Sequence, residues 1–226
     1  MNRAPSRQLA LTLPHQPALG AGDFLTGEAN REAFEAVMRW PDWAAPVLWL
    51  WGPPGSGKSH LVEVWRGLSG ASRAAAAALG SESVEDLLSE GAAAVEGIDE
   101  KADERALFHL LNLARQRGAS LLLTSREGPD RLSPQLPDLA SRLRAAQAIG
   151  LRAPGDDLLR QVLVKLFADR QILVDPAVVD YILKRMERSF EAANAIVAAL
   201  DGASLAEGRS VSRALAASVL GRLEAD

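Results

Sequence analysis

The segment Gly52-Pro53-Pro54-Gly55-Ser56-Gly57-Lys58-Ser59 constrains this chain more than any other. It matches G-x-x-x-x-G-K-[ST] in full, follows the unbroken apolar run 47–51 and precedes a helical pattern over 59–68. A Gly-Pro turn that matched by chance would lack this strand-before, helix-after setting. The chemistry needs each part. Glycines let successive backbone N–H groups wrap a polyanion, and the Lys58 ammonium reaches β- and γ-phosphates. The Ser59 hydroxyl ligates Mg²⁺, and the N-terminus of the next helix favours negative charge. The expected cofactor is ADP or ATP with Mg²⁺. Its contacts are Gly52, Pro53, Pro54, Gly55, Ser56, Gly57, Lys58 and Ser59, with His60 directly behind them.

The rest of the chain supplies the fold that such a loop requires. A helix is expected over 28–39, with Ala33, Phe34, Val37 and Met38 on one face. The run 47–51 reads as a buried parallel strand. Residues 73–79 form a weak second strand, although their alanines suit a helix equally. A short helix covers 84–88, and 92–95 is a third strand. An amphipathic helix over 104–117 stops at Gly118, and strands follow at 121–124 and 148–151. This alternation implies an α/β fold, a five-stranded parallel sheet with helices on both faces. Beyond Pro154 the pattern is helical only, over 156–170, 176–187, 189–200 and 212–223. The expected domains are therefore a tail (1–22), a nucleotide-binding domain (23–153) and a small helical domain (154–226).

Composition narrows the function classes. With 226 residues, 48% of them hydrophobic, the chain is long enough for one α/β domain and an appendage. A net charge of -4 argues against tight, sequence-blind DNA binding. The absence of cysteine excludes disulfides, thiolate zinc sites and cysteine nucleophiles. No apolar run approaches ~18 residues and the first residues do not form a signal peptide, so a cytoplasmic location is expected. Trp40, Trp43, Trp49, Trp51 and Trp65 crowd the first third of the chain where basic neighbours are sparse, which reads as core packing rather than base stacking. His60 and His109 have no partners at metal-ligand spacing.

A nucleotide-hydrolysing enzyme of this type carries an acidic pair at the end of a neighbouring strand. Here the strand 92–95 runs into Glu96-Gly97, a single acid followed by glycine. Glu96 is placed to hold Mg²⁺ together with Ser59, and Asp99 or Glu100 stands next in line for the missing carboxylate. The chain is expected to bind nucleotide well and to hydrolyse it weakly or not at all alone. Thr124, Ser125 and Arg126 end the fourth strand, at the edge that faces the ligand crevice in such sheets. One of them is expected to sense the γ-phosphate, unless they only cap the strand.

These features together resemble the DnaA/Hda family of AAA+ proteins, and within it the small regulators made of a short tail plus that module. Residues 24–30, with Phe24, resemble the segment beside the adenine, and Glu96 stands where the family's magnesium-binding acid usually does. Thr124-Ser125 is similar to the first sensor. Leu139-Ala140-Ser141-Arg142-Leu143 resembles the arginine-finger segment, which makes Arg142 the finger. Arg188 resembles the second sensor at the start of the third helix of the helical domain. In the tail, Gln8-Leu9-Ala10-Leu11-Thr12-Leu13 has alternating apolar residues and resembles the peptide that docks on the bacterial sliding clamp. Gln8 would bond at the pocket rim while Leu9, Leu11 and Leu13 fill a groove.

The resemblance implies regulatory inactivation of the replication initiator. Docked on the DNA-loaded clamp (the β clamp of DNA polymerase III), such a protein would present Arg142 to the γ-phosphate of ATP held by DnaA and stimulate its hydrolysis. The helix-turn-helix DNA-reading domain of the initiator is not expected here, so origins would not be read directly. Self-association through the AAA+ interface is compatible with this reading. Two other readings remain: a helicase-loader-like ATPase, and a non-enzymatic adaptor that keeps nucleotide as a structural ligand.

Overall fold

The computed structural model describes residues 20–99 and 101–223. They divide into two compact units. Among the described residues, the first comprises 20–158 together with Arg188–Phe190, and the second consists of Leu159–Glu187 and 191–223.

The first unit is a five-stranded parallel sheet in the order β2-β3-β4-β1-β5. The strands are β1 Val47–Trp51, β2 Ser72–Ala75, β3 Ala92–Glu96, β4 Ser120–Ser125 and β5 Gln147–Gly150. Its helices are α1 Arg31–Met38, α2 Lys58–Ser69, α3 Val84–Leu87, α4 Glu104–Arg117 and α5 Pro137–Arg144. Strand side chains alternate between faces, so each strand feeds two cores. Leu48, Leu50, Ala94 and Leu122 pack on one side with Leu61, Val62 and Trp65 of α2 and Val37 of α1. Trp49, Val95, Leu121 and Leu123 pack on the other with Leu107, Leu110 and Leu111 of α4 and Leu139 and Leu143 of α5. Because both faces are covered, the central strands are apolar throughout. Four of the five tryptophans belong to these cores: Trp49 and Trp65 are buried, Trp43 stacks on Trp65 at 5.2 Å, and Trp40 meets Trp65 edge-on at 6.4 Å.

In the first unit two boundaries differ from the sequence expectation by more than one residue, each for a local reason; in the second, the helix expected over 176–187 ends at Leu183 and the one expected over 189–200 runs to Glu207. The second strand ends at Ala75, and Ala76–Ala78 is a 3-10 turn. β2 is an edge strand paired to β3 alone, and its last partner, Glu96 opposite Ala75, is also the last residue of β3. The first helix starts at Arg31 rather than at residue 28, because Asn30 folds the preceding turn. Its side-chain oxygen accepts from Gly27 N at 2.8 Å and its amide donates to the Leu25 carbonyl at 3.0 Å.

The second unit is helical. Its elements are α6 Asp156–Asp169, which starts in the first unit, α7 Pro176–Leu183, α8 Phe190–Glu207 and α9 Arg213–Leu223. Asp175 caps α7, accepting from Ala177 N at 2.8 Å, and Pro176 fills the first helical position. α8 continues through Gly202, because one interior glycine costs about 1 kcal/mol and the flanking Ala, Leu and Glu favour helix. Tyr181 lies between two guanidinium groups, Arg185 at 3.9 Å and Arg213 at 4.9 Å. Among the described residues no helix is long and apolar enough to cross a membrane.

Candidate nucleotide site

β1 delivers the phosphate loop, and its neighbours anchor it: Gly52 N donates to the Ser125 carbonyl at 3.2 Å and Leu151 N to the Trp51 carbonyl at 2.7 Å. Residues 188–190 close on the loop from another direction. Phe190 N donates to the Gly55 carbonyl at 2.9 Å, and a Cβ on Gly55 would stand 2.3 Å from that of Ser189. Gly55 also has a φ of +66°, so both the close approach and the backbone require glycine. A Cβ on Gly57 would lie between the rings of Phe190 and Phe24, at 3.3 and 3.5 Å. Lys58 opens α2, and its ammonium donates to the carbonyls of Gly52 at 2.6 Å and Pro53 at 2.8 Å. Ser56 Oγ stands 3.4 Å away. Burial pushes the Lys58 ammonium below its ordinary pKa; Asp99 and Glu96 oppose that shift and Arg126 adds to it. A cation held in a concave ring of backbone groups is poised for a polyanion.

The end of β3 supplies oxygen ligands. Ser59 Oγ donates to Glu96 Oε2 at 2.6 Å. Glu96 Oε1 is buried without a hydrogen-bond partner, although Arg73 Nε stands 2.5 Å away off hydrogen-bond alignment. A hydroxyl and a carboxylate are the kind of oxygen ligands that Mg²⁺ takes and shares with phosphates, although here one carboxylate oxygen already has the Arg73 guanidinium beside it. Gly97 has a φ of 73°, and its N–H bonds the Thr124 carbonyl at 2.9 Å, so a second acid at this position would be strained. Asp99 lies beyond it. Its Oδ2 accepts from Arg126 N at 2.8 Å and Glu127 N at 3.2 Å, while its Oδ1 is buried without a hydrogen-bond partner. Glu100 lies outside the described residues.

At the end of β4 both expected sensor side chains are buried. Thr124 Oγ1 accepts from Gly97 N at 3.3 Å. The Ser125 hydroxyl accepts from Trp49 Nε1 at 2.7 Å and donates to the Glu127 carbonyl at 2.6 Å, so its proton and a lone pair are committed within the fold. Phe24 stacks on Phe34 at 5.2 Å, and its ring meets His60 edge-on at 5.0 Å. That places Phe24, His60 and the loop in one neighbourhood.

The two singled-out arginines lie in different surroundings. Arg188 stands two residues before α8 and forms a fork with Asp156, Nε to Oδ1 at 2.8 Å and Nη2 to Oδ2 at 3.3 Å. Arg142 is half-buried on α5, whose Leu139 and Leu143 are sunk in the core. No ion pair or side-chain hydrogen bond joins Arg142 to another described residue; Asp138 on the same helix does not pair with it. Gln8, Leu9, Leu11 and Leu13 lie outside the described residues. Sequence reading missed Arg73, Trp49, Asn30 and Asp156 as partners of the site. Only the strand register and the turn geometry bring them there, so no local motif announces them.

The first unit has the AAA+ fold, with a complete P-loop sequence at the end of β1, and a helical unit follows. No family model matches the chain. It is 28% identical over 185 residues to an uncharacterised protein of Haemophilus influenzae, covering 75% of this chain and 79% of the other. Among solved structures it resembles domain III of the Thermotoga maritima replication initiation protein DnaA, with a TM-score of 0.77 and 16% identity over 93% of this chain and 98% of that one. The AMPPCP-bound DnaA of Aquifex aeolicus superposes with a TM-score of 0.68 and 15% identity, over 81% and 65% of the two chains. A Thermotoga maritima RuvB variant reaches 0.72 at 15% identity, over 92% and 73%. At these identities the likeness establishes the fold.

Proposed function

We propose that this chain is a nucleotide-bound regulator of replication initiation, of the Hda kind. It docks on the DNA-loaded sliding clamp through Gln8, Leu9, Leu11 and Leu13 and stimulates hydrolysis of the ATP held by DnaA. ADP or ATP with Mg²⁺ occupies the loop. Lys58 meets the phosphates, Ser59 and Glu96 hold the metal, and Phe24 and His60 flank the base. Arg188 serves as the second sensor. Arg142 reaches the partner's γ-phosphate and stabilises the charge that develops as the phosphoryl group passes to water. Arginine fingers given in trans accelerate hydrolysis by about 10³ to 10⁵. The observation that carries this reading is Arg142 itself. It sits on a helix fixed by two buried leucines, and no described residue pairs with its charge. Asp138 lies one turn away on the same helix, at a spacing where an acid and an arginine can pair, and the two do not.

The test is hydrolysis of ATP preloaded on the cognate initiator, with clamp-loaded DNA, in the presence of the wild type or Arg142→Ala. Stimulation by the wild type alone supports the reading. Equal behaviour of the two, with protein and clamp both folded, removes it. A second reading, the non-enzymatic adaptor, is favoured by the end of β3, where Gly97 occupies a backbone conformation that disfavours a second acid. Under that reading nucleotide remains a structural ligand and Arg142 is dispensable.

A further inference from the structure

Arg73 belongs to none of the motifs in the sequence. In β2 it stands opposite Ala94, and Glu96 follows two residues later on the same face of β3. There its guanidinium bridges two carboxylates. Nε is 2.5 Å from Glu96 Oε1, and Nη1 is 2.7 Å from Glu63 Oε1 on α2. Arg66 holds the other oxygen of Glu63 at 2.8 Å. Two cations and two anions therefore alternate in a chain that terminates at Glu96, whose second oxygen takes the Ser59 hydroxyl. Glu96 is only 15% exposed, which keeps the attraction from being fully screened.

A lone carboxylate beside a phosphate site repels the ligand unless a metal stands between them. Here Arg73 already neutralises that carboxylate. A divalent cation placed on Ser59 and Glu96 would also have to share the carboxylate with a guanidinium of like sign, which lowers the return on binding metal. We propose that Arg73 is a positioning residue of the nucleotide site. It is a built-in cation that holds Glu96 against Ser59 and takes over part of the electrostatic role of Mg²⁺, so that a nucleoside diphosphate is retained with little dependence on divalent metal. This rests on the nucleotide-binding reading of the phosphate loop.

The experiment is ADP titration of the full chain, in Mg²⁺ and again in EDTA, for wild type, Arg73→Gln and Arg73→Lys. For the wild type, removing metal should weaken ADP by less than about threefold; for R73Q, by about tenfold or more. R73K keeps the charge and should stay near wild type. A metal dependence equal in R73Q and wild type, with both binding ADP, overturns the role of Arg73 and leaves nucleotide binding intact. R73K behaving like R73Q overturns the electrostatic account. A wild type that binds no ADP in either buffer overturns the nucleotide reading as well. Thermal melting checks that the variants are folded; if R73Q is not, Arg73→Met keeps the apolar stem and makes the same comparison.

Discussion

The ends of β1 and β3 both face the candidate site, yet they are built differently. β1 runs into a complete phosphate loop, and the loop is tied to β4 and residues 188–190 by backbone contacts. β3 runs into one carboxylate and a glycine whose φ of 73° disfavours any other residue. Binding demands a rigid concave cradle, and β1 supplies it. Hydrolysis demands a second polar group to orient water, and the position where that group would stand is held by backbone geometry instead. On the proposed reading, the contrast separates holding a nucleotide from consuming it, and it locates the difference in particular residues.

The strongest way to break the comparison is at Lys58. Replacing it with alanine removes an ammonium that can donate charge-assisted bonds of about 1.5–3 kcal/mol. ADP affinity should fall by about 100-fold in a calorimetric titration while the melting temperature hardly moves. Retained affinity would mean that the loop is not the ligand's anchor. Gly55→Ala attacks the same cradle from the packing side. The new methyl group would overlap Ser189 at a positive φ, and such strain costs about 1–3 kcal/mol. Gly118 provides the control, since its φ of +66° is the same but nothing lies within 4 Å. Gly118→Ala should cost about 1 kcal/mol, and denaturant melts of both variants check the difference.

At the end of β3, Gly97→Asp restores an acidic pair in the sequence but not in the backbone. It should lower stability by about 1–2 kcal/mol without yielding steady-state ATP turnover. A variant that hydrolyses ATP briskly would show that the carboxylate alone was missing. Ser125→Ala perturbs the neighbouring strand. It leaves the buried Trp49 indole N–H without its acceptor, a cost of about 1–3 kcal/mol. If the hydroxyl also sensed the γ-phosphate, the ratio of ATP to ADP affinity would change; the committed geometry predicts that it holds within about twofold.

The contrast between the two strand ends also marks what the sequence makes legible. The loop and the apolar run before it are contiguous, so motif and periodicity reveal both together. Glu96-Gly97 is readable as a departure from an acidic pair for the same reason. Partners that meet through tertiary register leave no such trace. Arg73 lies in a stretch of alanines that reads as strand or helix, and its proximity to Glu96 exists only once β2 pairs with β3. Trp49 alternates with Leu48 and Leu50 as any buried strand residue does, and nothing local shows that its indole N–H seeks Ser125. Asp156 opens a helix with Asp157 beside it, and only the fold decides which of them receives Arg188.

The subtlest prediction concerns pH. Burial lowers the Lys58 pKa below its ordinary 10.5 in the protein without nucleotide, with Arg126 adding to that shift and Asp99 and Glu96 resisting it. The sign for stability follows from proton counts. Between the folded pKa and 10.5 the unfolded chain binds more protons at this position, so the Lys58 contribution to stability rises with pH across that alkaline window. Nucleotide binding runs the other way. Phosphates favour the ammonium, so above the lowered pKa the bound state takes up a proton that the free protein has lost. ADP affinity should then fall with rising pH, by at most about tenfold per pH unit for a single proton. Calorimetry in buffers of different ionisation enthalpy would report the uptake directly. Lys58→Gln should abolish both the slope and the proton uptake in whatever binding remains. If the slope persists in that variant, the titrating group lies elsewhere and the loop's end of the comparison loses its electrostatic explanation.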